Sequence, residues 1–114
     1  MAAQLRRTGI HVTLDEVLPN RPNVIASIPG NSPEQSLLFE THLDTVMPNA
    51  KMRNPFRPEV RDGAVYGLGA CDAKGCLAAM MAAIEAVSQL GRSPSVTVVL
   101  AAVVDEEYQY RGVS

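Results

Sequence analysis

Val96-Thr97-Val98-Val99-Leu100-Ala101-Ala102-Val103-Val104, followed at once by Asp105-Glu106-Glu107, is the stretch that decides the fold. Nine residues without a charge, five of them valine, match the near-continuous apolar run of a central strand covered on both faces. Three carboxylates where that run stops put acid at a strand's C-terminal end. In open α/β sheets this is the edge where ligands bind.

Upstream of this strand, Lys74 to Leu90 carries Leu77, Met80, Met81, Ile84, Val87 and Leu90 at helical spacing, with Gly91 as the stop. Further back, Ser36 to Thr41 holds Leu37, Leu38 and Phe39, which reads as a buried strand with His42 at its C-terminal end. Strand, long connection, helix, strand most simply makes a right-handed crossover between parallel neighbours. His42 and Asp105-Glu106-Glu107 then leave the sheet at one edge, with Asp72 near the entry to the helix.

The remaining elements follow from shorter signals. Met1 to Thr8 reads as the last turns of a helix closed by Gly9. Ile10 to Val17 alternates apolar and polar residues, and Asn23 to Ile28 forms a second strand after the Leu18-Pro19-Asn20-Arg21-Pro22 turn. The long connection between Leu43 and Cys71 contains a hairpin signal, Glu59-Val60 and Ala64-Val65-Tyr66 around Asp62-Gly63. The fold class expected is α/β, one unit over residues 1–114.

Composition narrows the function classes. Ten basic and twelve acidic residues in 114, scattered rather than striped, leave no footprint for nucleic acid. No apolar run approaches the roughly 20 residues of a membrane span, and no secretion signal is visible. Cys71 and Cys76 suit reduced thiols better than a disulfide framework. A soluble, cytoplasmic protein without a polyanionic partner is the expectation.

Three segments carry chemistry: Thr41-His42-Leu43-Asp44, Cys71-Asp72-Ala73-Lys74-Gly75 and Asp105-Glu106-Glu107. An imidazole and several carboxylates at one sheet edge can hold two divalent ions, which lower the pKa of a shared water and polarise a carbonyl. His42 and Asp44 lie on one face of an extended chain, so one can ligate while the other supports it; Asp44 can equally be a surface residue. Asp72 is either a carboxylate held between cations by the close-packed Gly67-Leu68-Gly69 backbone, or the N-cap of the helix. The glycines do not match a phosphate loop. Asp105-Glu106-Glu107 is either a solvated turn or a pair of glutamates that divide ligation and proton transfer.

Phe39-Glu40-Thr41-His42-Leu43-Asp44-Thr45-Val46, Val65-Tyr66-Gly67-Leu68-Gly69-Ala70-Cys71-Asp72-Ala73-Lys74-Gly75 and Asp105-Glu106-Glu107 resemble, in order and spacing, the zinc-dependent aminoacylase and carboxypeptidase G2 family of metallopeptidases. Acetylornithine deacetylase and succinyl-diaminopimelate desuccinylase belong to it. The resemblance covers most of the chain from about Asn23 onward. It implies a partial three-layer α/β/α catalytic domain with a mixed sheet. It implies two Zn²⁺ in a complete site, with Co²⁺ as a substitute. His42 would be a ligand of one metal, Asp72 the bridging ligand, Glu107 a ligand of the other, Glu106 the general base, and Asp44 the partner of His42.

The implied activity is hydrolysis of amide bonds in N-acyl amino acids or small peptides. Departures from the family pattern bear on that expectation. The family draws further ligands from beyond the paired glutamates, carries an inserted dimerisation domain and has a longer leading helix. Three of its five protein ligands are present here, so the chain reads as an N-terminal portion of the catalytic domain, inactive alone, from a parent that is a candidate homodimer. The competing class is a non-catalytic module that keeps the fold for interaction or regulation; a remnant without a role of its own is a third reading.

Overall fold

A computed structural model describes residues 1–113. Among them, six strands and two α-helices follow the order α1 (Ala2–Arg7), β1 (His11–Leu18), β2 (Arg21–Ile28), β3 (Ser32–His42), β4 (Glu59–Arg61), β5 (Ala64–Tyr66), α2 (Cys76–Ser88) and β6 (Val96–Val103). Four strands form one sheet in the order β1-β2-β6-β3. β1 and β2 pair antiparallel, β2 and β6 antiparallel, β3 and β6 parallel, so the sheet is mixed. The crossover expected between β3 and β6 is present, with α2 as its helix.

Register sorts the side chains into faces. Val12 pairs with Ala26, Ala26 with Leu100 and Val24 with Ala102, so these apolar residues lie in columns on one side of the sheet. Leu5 of α1 and Leu77 and Ile84 of α2 close the same cluster. Burying a side chain such as Leu100 or Ile84, each fully enclosed, contributes about 1.5–3 kcal/mol. Both helices therefore cover the same face, and the described residues supply one helical layer and the sheet.

That one-sidedness corrects the expectation of a buried third strand. β3 lies at the margin of the sheet, and Leu37 and Leu38 are 48% and 54% exposed. Leu38 points to the face without a helix, while Phe39, on the other face, packs against the core. β6 is interior in the sheet, as its composition indicates, and Val98, Leu100 and Ala102 are buried under α2.

The small hairpin forms where Asp62-Gly63 directs it, with φ of +51° and +74° at the two turn residues. Such a pair matches the primed turn that tight hairpins require. α2 begins at Cys76, later than Lys74, because Ala70 to Gly75 forms a wide turn of its own in which Asp72 is extended (φ −117°, ψ 100°). The Asp72–Ala73 peptide bond is cis. Among the described residues no helix is long and apolar enough to cross a membrane.

Candidate metal centre

His42 is the last residue of β3 and pairs with Val103, the last residue of β6. Parallel pairing puts both strands' C-terminal ends at one edge, and the Leu43 N–H donates to the Val103 carbonyl at 2.7 Å. Asp105 then takes a left-handed conformation (φ +68°), which Asp tolerates better than most residues. The chain folds back on itself there: the Asp105 carbonyl accepts the N–H groups of Tyr108, Gln109 and Tyr110. Glu106 and Glu107 sit on this turn, directly beside the end of β3.

Asp72 arrives from a different direction. Its turn is tied to the end of β3 by Lys74, whose Nζ donates to the Leu43 carbonyl at 2.7 Å. Gly69 opens the turn at φ +75°, where a Cβ would meet Thr45 Cγ2 at 2.5 Å. The N-cap alternative for Asp72 is overturned: α2 is capped at Gly75 with no side-chain cap bond, and the Asp72 carboxylate faces His42 instead.

Four of the five residues singled out in the sequence meet around His42. Its Nε2 is 2.9 Å from Asp72 Oδ1 and 3.9 Å from Glu106 Oε2. Its Nδ1 is 3.1 Å from the Asp44 carbonyl oxygen and 3.6 Å from Asp44 Oδ1. The fifth, Glu107, joins through geometry: one ligand atom each from His42, Asp72 and Glu107 falls within 4.8 Å of the others. His42 is buried, Glu107 half-buried and Asp72 exposed, so the group opens to solvent on one side.

The Asp44 carboxylate has a use beyond the imidazole. Its Oδ1 accepts the Glu106 N–H at 3.2 Å and its Oδ2 accepts the Glu107 N–H at 3.1 Å. The sequence left open whether Asp44 supports His42 or lies at the surface; its backbone carbonyl makes the shorter contact with His42 and its Oδ1 the longer one. The carboxylate also fastens β3's end to the glutamate turn.

Electrostatics follow from this crowding. Burial pushes the His42 imidazole down, but the Asp72 hydrogen bond, the Asp44 carbonyl and the charges of Glu106 and Asp72 outweigh it, holding His42 above its usual value. An imidazole fixed through Nδ1 and facing carboxylates through Nε2 is the donor arrangement of a metal-ligating histidine. One nitrogen and two carboxylate donors with an open side suit a zinc-type catalytic centre, which keeps a position free for substrate or water. The residues fit the ion.

Beside the group lies a cavity of about 470 Å³ reached by Asp72 and Glu107. Thr45, Val46, Met52, Pro55 and Leu68 give it a largely apolar wall, and Arg53 is the one cation among its described lining residues. Sequence reasoning did not single out Arg53, which stands in no recognisable motif, and gave Thr45 no role of its own within the Phe39–Val46 segment. It also passed over Asn23 and Arg111, although a polar residue between Pro22 and Val24 in an apolar strand was a readable signal. Asn23 is buried, with Oδ1 accepting the Val104 N–H and Nδ2 donating to the Gly112 carbonyl.

Residues 38–114 match the sequence model of peptidase family M20/M25/M40. A succinyl-diaminopimelate desuccinylase of Gluconacetobacter diazotrophicus is 36% identical over 112 residues, covering 94% of this chain and 29% of its own. One from Wolbachia pipientis is 37% identical over 87 residues, covering 74% and 21%. The chain thus spans under a third of the length of these relatives. Human carnosine dipeptidase 1 superposes with a TM-score of 0.72 at 27% identity, over 93% of this chain and 25% of that one. The dipeptidase Dug1p of Saccharomyces cerevisiae gives 0.76 over 97% and 26%, and at 18% identity shares the fold alone.

Proposed function

From the premise that the chain belongs to peptidase family M20/M25/M40 and carries the mixed sheet of its catalytic domains, we propose that it forms the metal-holding edge of an amide hydrolase. His42, Asp72 and Glu107 would hold the ion, zinc in the first instance, with cobalt as a substitute. A bound divalent cation supplies Lewis acidity and makes a water acidic enough to attack near neutral pH. Two such ions in the complete site, with Asp72 between them, are part of the proposal. The supporting observation is the convergence of three donors from three separate segments within 4.8 Å.

The chain's own groups would divide the remaining work. Glu106 lies 3.9 Å from His42 Nε2 and is partly exposed, so its carboxylate can take a proton at the open side and return it to a leaving amine. Asp44 keeps the imidazole and the glutamate turn in register through its carbonyl and its carboxylate. The cavity's apolar wall would exclude water from one side of the substrate, and Arg53 offers a partner for a carboxylate. That lining suits an N-acyl amino acid or small peptide, in keeping with relatives named as a desuccinylase and a dipeptidase.

The activity is proposed for a longer polypeptide that includes this chain, since the relatives run more than three times its length; the chain by itself is expected to bind metal without turning over substrate. Calorimetric titration with zinc tests the binding: micromolar or tighter affinity that His42→Asn abolishes supports the reading. Zinc affinity indifferent to His42, Asp72 and Glu107 would overturn it and favour a non-catalytic module.

A further inference from the structure

Glu106 and Glu107 stand on a turn just past a strand end, a place where chains ordinarily move freely. Three attachments behind that turn remove this freedom. Asp105, 1% exposed, is joined by its Oδ2 to Arg111 Nε at 2.8 Å. Asn23, 5% exposed, takes the Val104 N–H at 2.9 Å on one side chain atom and gives to the Gly112 carbonyl at 2.7 Å with the other. Gly112 itself lies so close that a Cβ would come within 2.2 Å of the Val104 carbonyl oxygen. Residues on either side of the two glutamates, 104–105 before and 111–112 after, are thus pinned to each other and to β2.

We propose that Asn23, Asp105 and Arg111 are positioning residues, a clamp that closes the base of the Glu106–Glu107 turn so that Glu107 is presented to His42 and Asp72. The proposal rests on the metal-hydrolase reading above. Its physical basis is ordering in advance. A carboxylate on a free turn surrenders conformational entropy when it ligates, whereas one on a clamped turn has already done so. Asp44 holds the two N–H groups from the β3 side and the Asp105 carbonyl closes the turn on itself, but neither ties the residues beyond Tyr110 to β2. The clamp supplies that tie. Asp105 needs Arg111 in turn, because a carboxylate taken out of water without a partner is strongly destabilising.

Cobalt is a suitable probe, because its visible spectrum reports the number and kind of its ligands. Arg111→Met is expected to lower the chain's cobalt affinity about tenfold and alter that spectrum, and Arg111→Lys to restore much of both. Asn23→Leu, nearly the same volume without the two hydrogen bonds, should act in the same direction. Ile84→Val, in the core on α2, serves as a comparison of lowered stability without contact to the turn. Amide exchange at Glu106 and Glu107 gives a second readout independent of metal, expected to quicken at least tenfold in Arg111→Met and to stay unchanged in Ile84→Val. The inference is overturned if both clamp variants match Ile84→Val in cobalt affinity, spectrum and exchange. A wild-type chain that binds no cobalt would sink the metal reading; exchange at the two glutamates would then decide alone whether the clamp orders them.

Discussion

His42 Nε2 and Asp72 Oδ1 stand 2.9 Å apart although thirty positions separate them in the chain. Without metal this is a hydrogen bond that favours the protonated imidazole, and the folded-state pKa of His42 is accordingly raised above its ordinary 6.5. The sign follows from linkage: the stabilisation is fully present below the unfolded value and is lost as pH rises through the raised folded value. Metal-free protein should therefore lose a small increment of stability across that interval. Thermal unfolding at closely spaced pH values checks it, and His42→Asn should flatten the trend.

The same proton competes with a metal ion. Zinc affinity should fall by close to a factor of ten per pH unit below the folded pKa of His42, with about one proton released per ion bound from that side chain. Calorimetry in buffers of different ionisation enthalpy measures the release directly. A pH-independent affinity through this range would remove His42 from the ligand set.

Asp72→Asn should cost at least the roughly 10–100-fold in metal affinity that is typical of residues merely supporting a ligand. Because Asp72 is exposed and caps no helix, the fold should tolerate the change. Competition against a chromophoric chelator, paired with a melting curve, separates the two effects.

Asp44→Asn replaces a carboxylate that accepts two N–H groups with an amide that has one acceptor oxygen. One of the Glu106 and Glu107 amides would then face a donor, at a cost of about 1–3 kcal/mol. Denaturant unfolding should show the loss, and metal affinity should drop with it.

Gly69→Ala meets two obstacles at once, a left-handed backbone and Thr45 Cγ2 at 2.5 Å. The conformational part alone costs about 1–2 kcal/mol. Since Gly69 shapes the turn that carries Asp72, stability and metal affinity should fall together. Thr45→Ser removes the obstructing methyl and should recover part of the affinity in the double variant.

Much of this molecule was legible before its coordinates. β6 announced itself because an interior strand must be apolar, and α2 because Leu77 and Ile84 fall two helical turns apart on one face. Parallel pairing of β3 with β6 followed from the intervening helix, and with it the shared edge of His42 and the glutamates. The exposure of Leu37 and Leu38 was not legible, since local composition does not record whether a strand has neighbours on both sides. Nor was the bond from Asp44 to the two glutamate amides: a carboxylate's partner sixty positions away leaves no trace in its neighbours. Arg111 escaped for the same reason, its partner being the Asp105 carboxylate, while Asn23, a polar residue in an apolar strand, was a signal left unused.

β3 borders β6 on one flank and, among the described residues, no strand on the other, yet it contributes the imidazole, while the turn after β6 contributes Glu107. A cation gripped by both would act as a rivet through the hem of the sheet. Peeling the outermost strand and emptying the site then become a single event, so that chelation loosens the fabric and occupancy keeps it from fraying.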